Sequence, residues 1–337
     1  MKKYVILIGL SLLVCLSCKK QKETPYKSSM RETLLPQIKD AVDHSDFNKI
    51  ILLCDSLIKN GEKYDDVVVS YAEALVATGK ANQAITVLKK ELENKDTHNK
   101  KYYLLHEMGD AYLVSGDTAN AIANYQEVLK LNQSYARPYI RLAEIYEHQG
   151  EKEKARDYYL TACDLFVKHR FYKETMEYGL KAFSLDSTNV QALEYVANAH
   201  YRLGDYANEL VALQSAHAIL WKRGEKNGNL STEDAIDFLE TGCRCAILFF
   251  AKEDYNMAWG YFQASVLNTD VSKSNDDIQR KYAVMIAAIK YKIGDKQDYS
   301  DLLSVIKERW KDKGEDELNK LLTNPQSIIE YHSFWVY

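Results

Sequence analysis

The chain of 337 residues is poor in the residues that break helices, with only four prolines and 14 glycines. So little proline leaves long stretches free to stay helical, because proline in a helix interior removes a hydrogen bond and clashes with the preceding turn. Phenylalanine is scarce too, nine against 25 tyrosines, so most aromatic surface carries a hydroxyl. Positive charge is not in excess: 44 basic residues face 48 acidic ones, for a net −4. A mildly acidic chain without a basic block argues against nucleic acid as a partner. Enzyme signatures are also missing. The sequence holds no glycine-rich phosphate loop, no His-Glu-x-x-His, no nucleophile elbow and no Cys-x-x-Cys pair. Its histidines (His44, His98, His106, His148, His169, His200, His217 and His332) are scattered, with no two of them four apart. No catalytic residue, metal site or cofactor is expected. Finally, the apolar run Tyr4–Val14 is too short to cross a bilayer as a helix.

That run belongs instead to a targeting pattern. Lys2 and Lys3 precede it, and Val14-Cys15-Leu16-Ser17-Cys18-Lys19-Lys20 follows. The segment resembles a bacterial lipobox, with a small residue, Ser17, before the cysteine; Cys15 departs from the usual leucine. The resemblance implies cleavage after residue 17, lipidation of Cys18 and stable anchoring by more than one acyl chain. An ordinary secretory signal or an uncleaved anchor is the competing reading. With Lys2 and Lys3 removed, the net charge moves from −4 to −6. Lys19 after the cysteine, rather than aspartate, fits release to the outer membrane, facing the periplasm. Residues 18–30 are polar and aperiodic, as expected of a tether.

The organising feature lies further on. Residues 102–135 and 136–169 form two 34-residue blocks in register. Leu105, Met108, Gly109, Tyr112, Gly116, Ala121, Tyr125, Val128 and Leu131 match Tyr139, Leu142, Ala143, Tyr146, Gly150, Ala155, Tyr159, Ala162 and Leu165 position by position. A fixed period of this length marks a repeat array. The blocks resemble the tetratricopeptide repeat, which implies an all-α, right-handed α-solenoid of antiparallel helix pairs. Small residues sit where two helices approach, and Gly116 and Gly150 mark the turns between them.

Outward from these blocks the pattern weakens. The solenoid is expected over residues 31–221, with further clear repeats at 65–98 and 190–221. Pro36 is placed in the first turn of its helix, where a missing N–H costs nothing. After Leu165 the register slips, and Phe171–Leu185 follows one second-type helix with another. Residues 222–231, Lys-Arg-Gly-Glu-Lys-Asn-Gly-Asn-Leu-Ser, read as a solvated loop or hinge. Residues 232–337 read as degenerate repeats, capped by Phe334-Trp335-Val336-Tyr337 or offering that run to a partner. Cys54, Cys163, Cys243 and Cys245 fall on apolar helix faces and read as packed thiols. Cys243-Arg244-Cys245 suits neither a local bridge nor a metal pair.

The resemblance implies that the first helix of each pair lines a concave surface. Its positions there hold Tyr103, His106, Glu107 and Asp110, then Arg137, Arg141, Glu144 and His148, then Glu194, Asn198 and Tyr201. Mixed carboxylates, arginines and tyrosines suit an extended peptide or protein segment. A chaperone-binding subset of the family clamps a C-terminal carboxylate, but His106 with Asp110 and Ile140 with Glu144 stand at those positions and would repel one. The expected function is a non-catalytic scaffold or adaptor in the cell envelope, serving outer-membrane assembly, secretion or cell-wall machinery. The alternative is a small-molecule or glycan-binding lipoprotein of a nutrient-uptake system.

Overall fold

The computed structural model describes residues 28–60, 65–93, 101–266 and 276–332. Cys18, the segment 1–17, most of the tether and the aromatic run Phe334–Tyr337 lie outside the described residues. Among the described residues the chain is all-α, without strands, and inside each of its two units successive helices pack on one another. None of these helices is long and apolar enough to cross a membrane. The chain divides into two compact units, residues 1–149 and 150–337.

The first unit comprises α1 (Ser28–Asp43), α2 (Phe47–Lys59), α3 (Asp65–Ala77), α4 (Ala81–Leu92), α5 (Lys101–Val114), α6 (Thr118–Leu131) and α7 (Ala136–His148). Helix α1 starts within the expected tether, so Pro36 lies in the helix interior rather than in its first turn. Proline cannot give the hydrogen bond one turn back; at the next residue the Gln37 side chain bonds the Thr33 carbonyl at 3.0 Å. Val68, Ala72 and Leu75 of α3, Ala84 and Leu88 of α4, and Leu104, Met108 and Ala111 of α5 form one continuous core. Each fully buried leucine there contributes about 1.5–3 kcal/mol.

The second unit comprises α8 (Lys152–Lys168), α9 (Tyr172–Leu185), α10 (Val190–Arg202), α11 (Tyr206–Asn227), α12 (Thr232–Ala251), α13 (Tyr255–Val266), α14 (Asp276–Ile293) and α15 (Lys296–Thr323). A 3₁₀ turn, Pro325–Ile328, and the short α16 (Ile329–His332) then fold back on α12. Ile328 is fully buried in the core shared by α12 to α15, so this turn closes that core. Helix α15 bends at Lys311, where φ is 49°. The segment 222–231, expected as a loop, is helical through Asn227, and only Gly228–Ser231 connects it to α12. Arg223 holds this longer helix in place by bonding Asp234 at 2.6 Å and the Thr188 carbonyl at 2.5 Å. Gly228, with φ 77°, then ends it in the left-handed conformation.

One turn recurs between paired helices. After α5, the Gly116 N–H bonds the Leu113 carbonyl at 3.1 Å and the Asp117 N–H bonds that of Tyr112 at 2.9 Å. Gly116 has φ 87°, and Asp117 caps α6 by accepting from the Asn120 N–H at 3.1 Å. The same two backbone bonds form at Ser45-Asp46, Arg170-Phe171 and Glu253-Asp254, with φ of 54°, 62° and 61° at the first residue. Helices α8 and α9 form an ordinary pair whose turn residue is Arg170 instead of glycine, and α8 also touches α10.

The four cysteines beyond the N-terminal segment, Cys54, Cys163, Cys243 and Cys245, are buried free thiols. Burial raises the thiols of Cys163 and Cys243 to about 12.

Candidate functional site

In the first unit the polar residues gather around α5. Leu104 to Gly109 are all buried, so this helix hides polar as well as apolar side chains. At Gly109 the approach is close: an added Cβ would sit 2.5 Å from the Tyr125 ring. Glycine lets that ring cross over α5, and the Tyr125 hydroxyl donates to the Asp110 carboxylate. From α7, Arg141 grips the same carboxylate with Nε at 3.0 Å and Nη2 at 3.1 Å, while its Nη1 bonds Glu144 at 3.1 Å. A two-point guanidinium–carboxylate pair fixes orientation as well as charge. Arg137 lies 3.8 Å from Glu73 of α3.

The electrostatics follow from burial. Burial alone would raise the Asp110 carboxyl, but Arg141, His106 and the Tyr125 hydroxyl together bring it down to about 2. His106 is 2% exposed, and burial, with help from Arg137 and Arg141, lowers it to about 3 against the pull of Asp110. At neutral pH the imidazole is therefore uncharged, and its 3.9 Å approach to Asp110 is not an ion pair. Its Nδ1 is buried without a hydrogen-bond partner among the described residues. Glu107, 4% exposed, is pushed well above the usual carboxylate range by burial, then by Glu73 and Asp110. Tyr102, Tyr103 and Tyr135 complete the cluster: ring centres are 4.1 Å apart for Tyr102–Tyr103, 5.5 Å for Tyr103–Tyr135 and 5.2 Å for His106–Tyr135.

The sequence-predicted lining is thus placed unevenly. Asp110, Arg141 and Glu144 meet in one network, and Arg137 pairs separately with Glu73; Tyr103 is half-buried, and His148 is exposed at the end of α7. His106 was expected on the open surface and is instead inside, because Gly109 draws Tyr125 across it; those two rings are 5.6 Å apart. Glu194, Asn198 and Tyr201 belong to the second unit, on α10. There Asn198 accepts from Arg244 Nη1 at 2.8 Å. Burial, followed by Asp237 and Glu240, raises Glu194 to about 8 against the pull of Arg244.

Two pairs escaped sequence reasoning. Arg244 and Glu209 are both fully buried and bonded at 2.7 Å, with Glu240 a further 3.5 Å contact to the guanidinium. The available signal was a lone arginine inside the apolar run Cys243–Phe250, since a buried charge requires a partner. The Tyr125–Asp110 bond had a fainter signal, the glycine at position 109 facing a tyrosine rather than a leucine.

Among the described residues no three His, Cys, Asp or Glu side chains are grouped to hold a metal ion. What the first-unit cluster offers is a set of polar groups locked by packing, and comparison gives it a family context. Residues 106–166 match the tetratricopeptide repeat. The match opens at His106 and spans Asp110, Tyr125, Arg141 and Glu144, while Glu73, Tyr102 and Tyr103 precede it. No curated protein matches the chain. Among solved structures, it is similar to the protein MamA (18% identity, 59% of this chain and 96% of that one, TM-score 0.35). It is similar also to a tetratricopeptide repeat protein from Parabacteroides merdae (13% identity, 77% and 100%, TM-score 0.34). A third is pilF of Pseudomonas aeruginosa (12% identity, 77% and 96%, TM-score 0.30). Likenesses this distant carry no argument about function.

Proposed function

We propose that this chain is a non-catalytic tetratricopeptide scaffold that holds protein or extended-peptide partners in the bacterial cell envelope. The observation that carries the reading is the pre-organised polar cluster inside the repeat-matching residues: Asp110 gripped at two points by Arg141, with Glu144, Arg137 and the tyrosines around it. Groups already fixed by packing lose little freedom on binding, which favours recognition of a partner segment. The lipobox resemblance around Cys18 supports an anchor in the outer membrane, facing the periplasm, with the repeats presented to envelope proteins. The scaffold would then serve outer-membrane assembly, secretion or cell-wall machinery.

Two experiments test this. Tagged full-length chain, recovered from solubilised envelopes, should carry a reproducible protein partner that Tyr103→Ala and Glu144→Lys together reduce severalfold. Recovery of no protein above background, or the same proteins in equal yield from the double variant, would sink the scaffold reading. Radiolabelled palmitate should enter the wild-type chain and not Cys18→Ser; no incorporation in either would remove the anchor.

A further inference from the structure

Residues 324–332, the 3₁₀ turn Pro325–Ile328 together with α16, do not extend the array but fold back along it as a strap. The Gln326 amide donates to the Ala251 carbonyl at the end of α12. Ile328 is fully buried in the core of α12 to α15, and Ile329 packs both against that core and against the one holding Leu213, Cys245 and Leu248. Further on, the Tyr331 hydroxyl donates to Glu317 of α15 at 3.2 Å, and the Lys281 ammonium of α14 lies 6.0 Å from its ring centre. The strap thus crosses α12, α14 and the part of α15 beyond the bend at Lys311.

This is the side of the second unit on which a bound segment would lie. Helices α12 and α14 are the first members of their pairs, the helices that the repeat resemblance assigns to the concave surface. Ala251 stands about two turns beyond Arg244 on one side of α12. Arg244 in turn bonds Asn198 of α10, a lining position set by the repeat offsets, at 2.8 Å. The strap's own hold is slight. A helix of four residues has no stability apart from what it packs on. The Glu330–Lys320 pair is exposed and worth little. Asn324, with φ −137° and ψ 87°, is an extended joint to α15. Removing the strap alone would leave the Ile328 site open in a close-packed core, so it departs only in exchange for an equivalent segment.

We propose that the strap is a built-in occupant of a peptide groove, displaced when a partner polypeptide offers the same chemistry: two adjacent aliphatic residues and, one residue later, a tyrosine. This rests on the protein-binding function proposed above and adds to it a second site, one that is closed in the free chain. The partner's aliphatic pair enters the places of Ile328 and Ile329, and its hydroxyl takes over the bond to Glu317. A strap tethered beside its groove competes at a high effective concentration, so only a partner of high affinity, or one already held nearby, opens the site. Weak or sparse segments are shut out.

The test uses the full chain and a fluorescein-labelled peptide of the strap sequence, Asn-Pro-Gln-Ser-Ile-Ile-Glu-Tyr-His. By fluorescence polarisation the wild-type chain should take it up weakly. Ile329→Ala with Tyr331→Ala, which loosens the strap and leaves the groove walls intact, should bind it about tenfold more tightly, as for loss of a tethered competitor. A peptide carrying the same two alanines should not bind. Folding of the double variant is checked by its thermal transition; Gln326→Ala, which removes only the bond to Ala251, should give a smaller gain in the same direction. Hydrogen exchange on the unmodified chain gives a second reading: saturating unlabelled peptide should strip protection from residues 326–332 and leave that of α12. No binding by either variant, equal binding by wild type and double variant, or binding with strap protection unchanged overturns the proposal. Dimerisation of the loosened chain in light scattering without peptide uptake would put a second copy's strap in the groove and overturn the assignment to a partner. Peptide exchange without capture of an envelope protein removes the scaffold reading and leaves the groove. Capture without exchange removes the groove alone.

Discussion

Replacing Asp110 by asparagine keeps the shape of the side chain and removes the charge that Arg141 grips. The carboxyl stands at about 2 in the folded chain against an ordinary value of 3.8. That difference of nearly two units corresponds to about 2 kcal/mol of stability. Arg141, with a side chain 17% exposed, would keep Glu144 but lose its main partner, so the full cost is about 2–4 kcal/mol at pH 7. The sign is fixed by linkage. A lowered folded value gives stabilisation that is present above the unfolded value of 3.8 and lost as pH falls through about 2. By pH 3 the titrating part should shrink to about half. Urea denaturation of wild type and Asp110→Asn at pH 7 and pH 3 reads this directly. A difference below about 0.5 kcal/mol at pH 7, the level of an exposed pair, would refute the buried-fork account.

Three further predictions concern packing and burial. Alanine usually stabilises a helix over glycine by about 1 kcal/mol; Gly109→Ala should instead destabilise by about 1–3 kcal/mol, because its Cβ meets the Tyr125 ring at 2.5 Å. Gly260→Ala, whose Cβ meets nothing within 4 Å, should show the ordinary stabilisation; two shifts of the same sign in thermal melts would contradict the contrast. Glu194 stands at about 8, raised above its unfolded value of 4.5, so its contribution is complete below pH 4.5 and lost as pH rises through about 8. Melting profiles from pH 5 to 9 should therefore flatten in Glu194→Gln; an unchanged slope would count against the burial. Arg244→Met should cost about 3–5 kcal/mol by stranding Glu209, and adding Glu209→Leu should recover much of it. Strict additivity in that double-mutant cycle would show the pair to be uncoupled.

The fold was largely legible because its signals are local. Gly116 before Asp117 and Gly204 before Asp205 announce a left-handed turn followed by a capped helix, and the structure has both. The pattern faded where another residue took the same conformation. Ser45, Arg170 and Glu253 hold φ of 54–62° without glycine's freedom, so their turns carry no glycine signal. Asp46 and Asp254, which cap the following helices, were the better markers. The segment 222–231 misled for the opposite reason: Gly224 is compatible with helix once Leu230 packs at 3.4 Å from where its Cβ would be.

The candidate site was legible only in part. Repeat offsets marked the positions of Asp110, Arg141 and Glu144, but not that these three satisfy one another. Whether a polar residue at such a position faces solvent or a neighbour depends on contacts across more than thirty residues, as between Asp110 and Arg141. The approach of the Tyr125 ring to His106 depends further on one missing Cβ, at Gly109. Periodicity carries no information about that.

The central claim, that the face carrying this cluster holds a protein partner in the envelope, is tested most directly by crosslinking in living cells. A photoreactive amino acid at position 103, beside Tyr135, is compared with one at position 52, where Leu52 is 67% exposed on α2. The account predicts a discrete adduct with another envelope protein from position 103, absent from position 52 and reduced by Glu144→Lys. No adduct from position 103, or the same adducts from both positions, would contradict it.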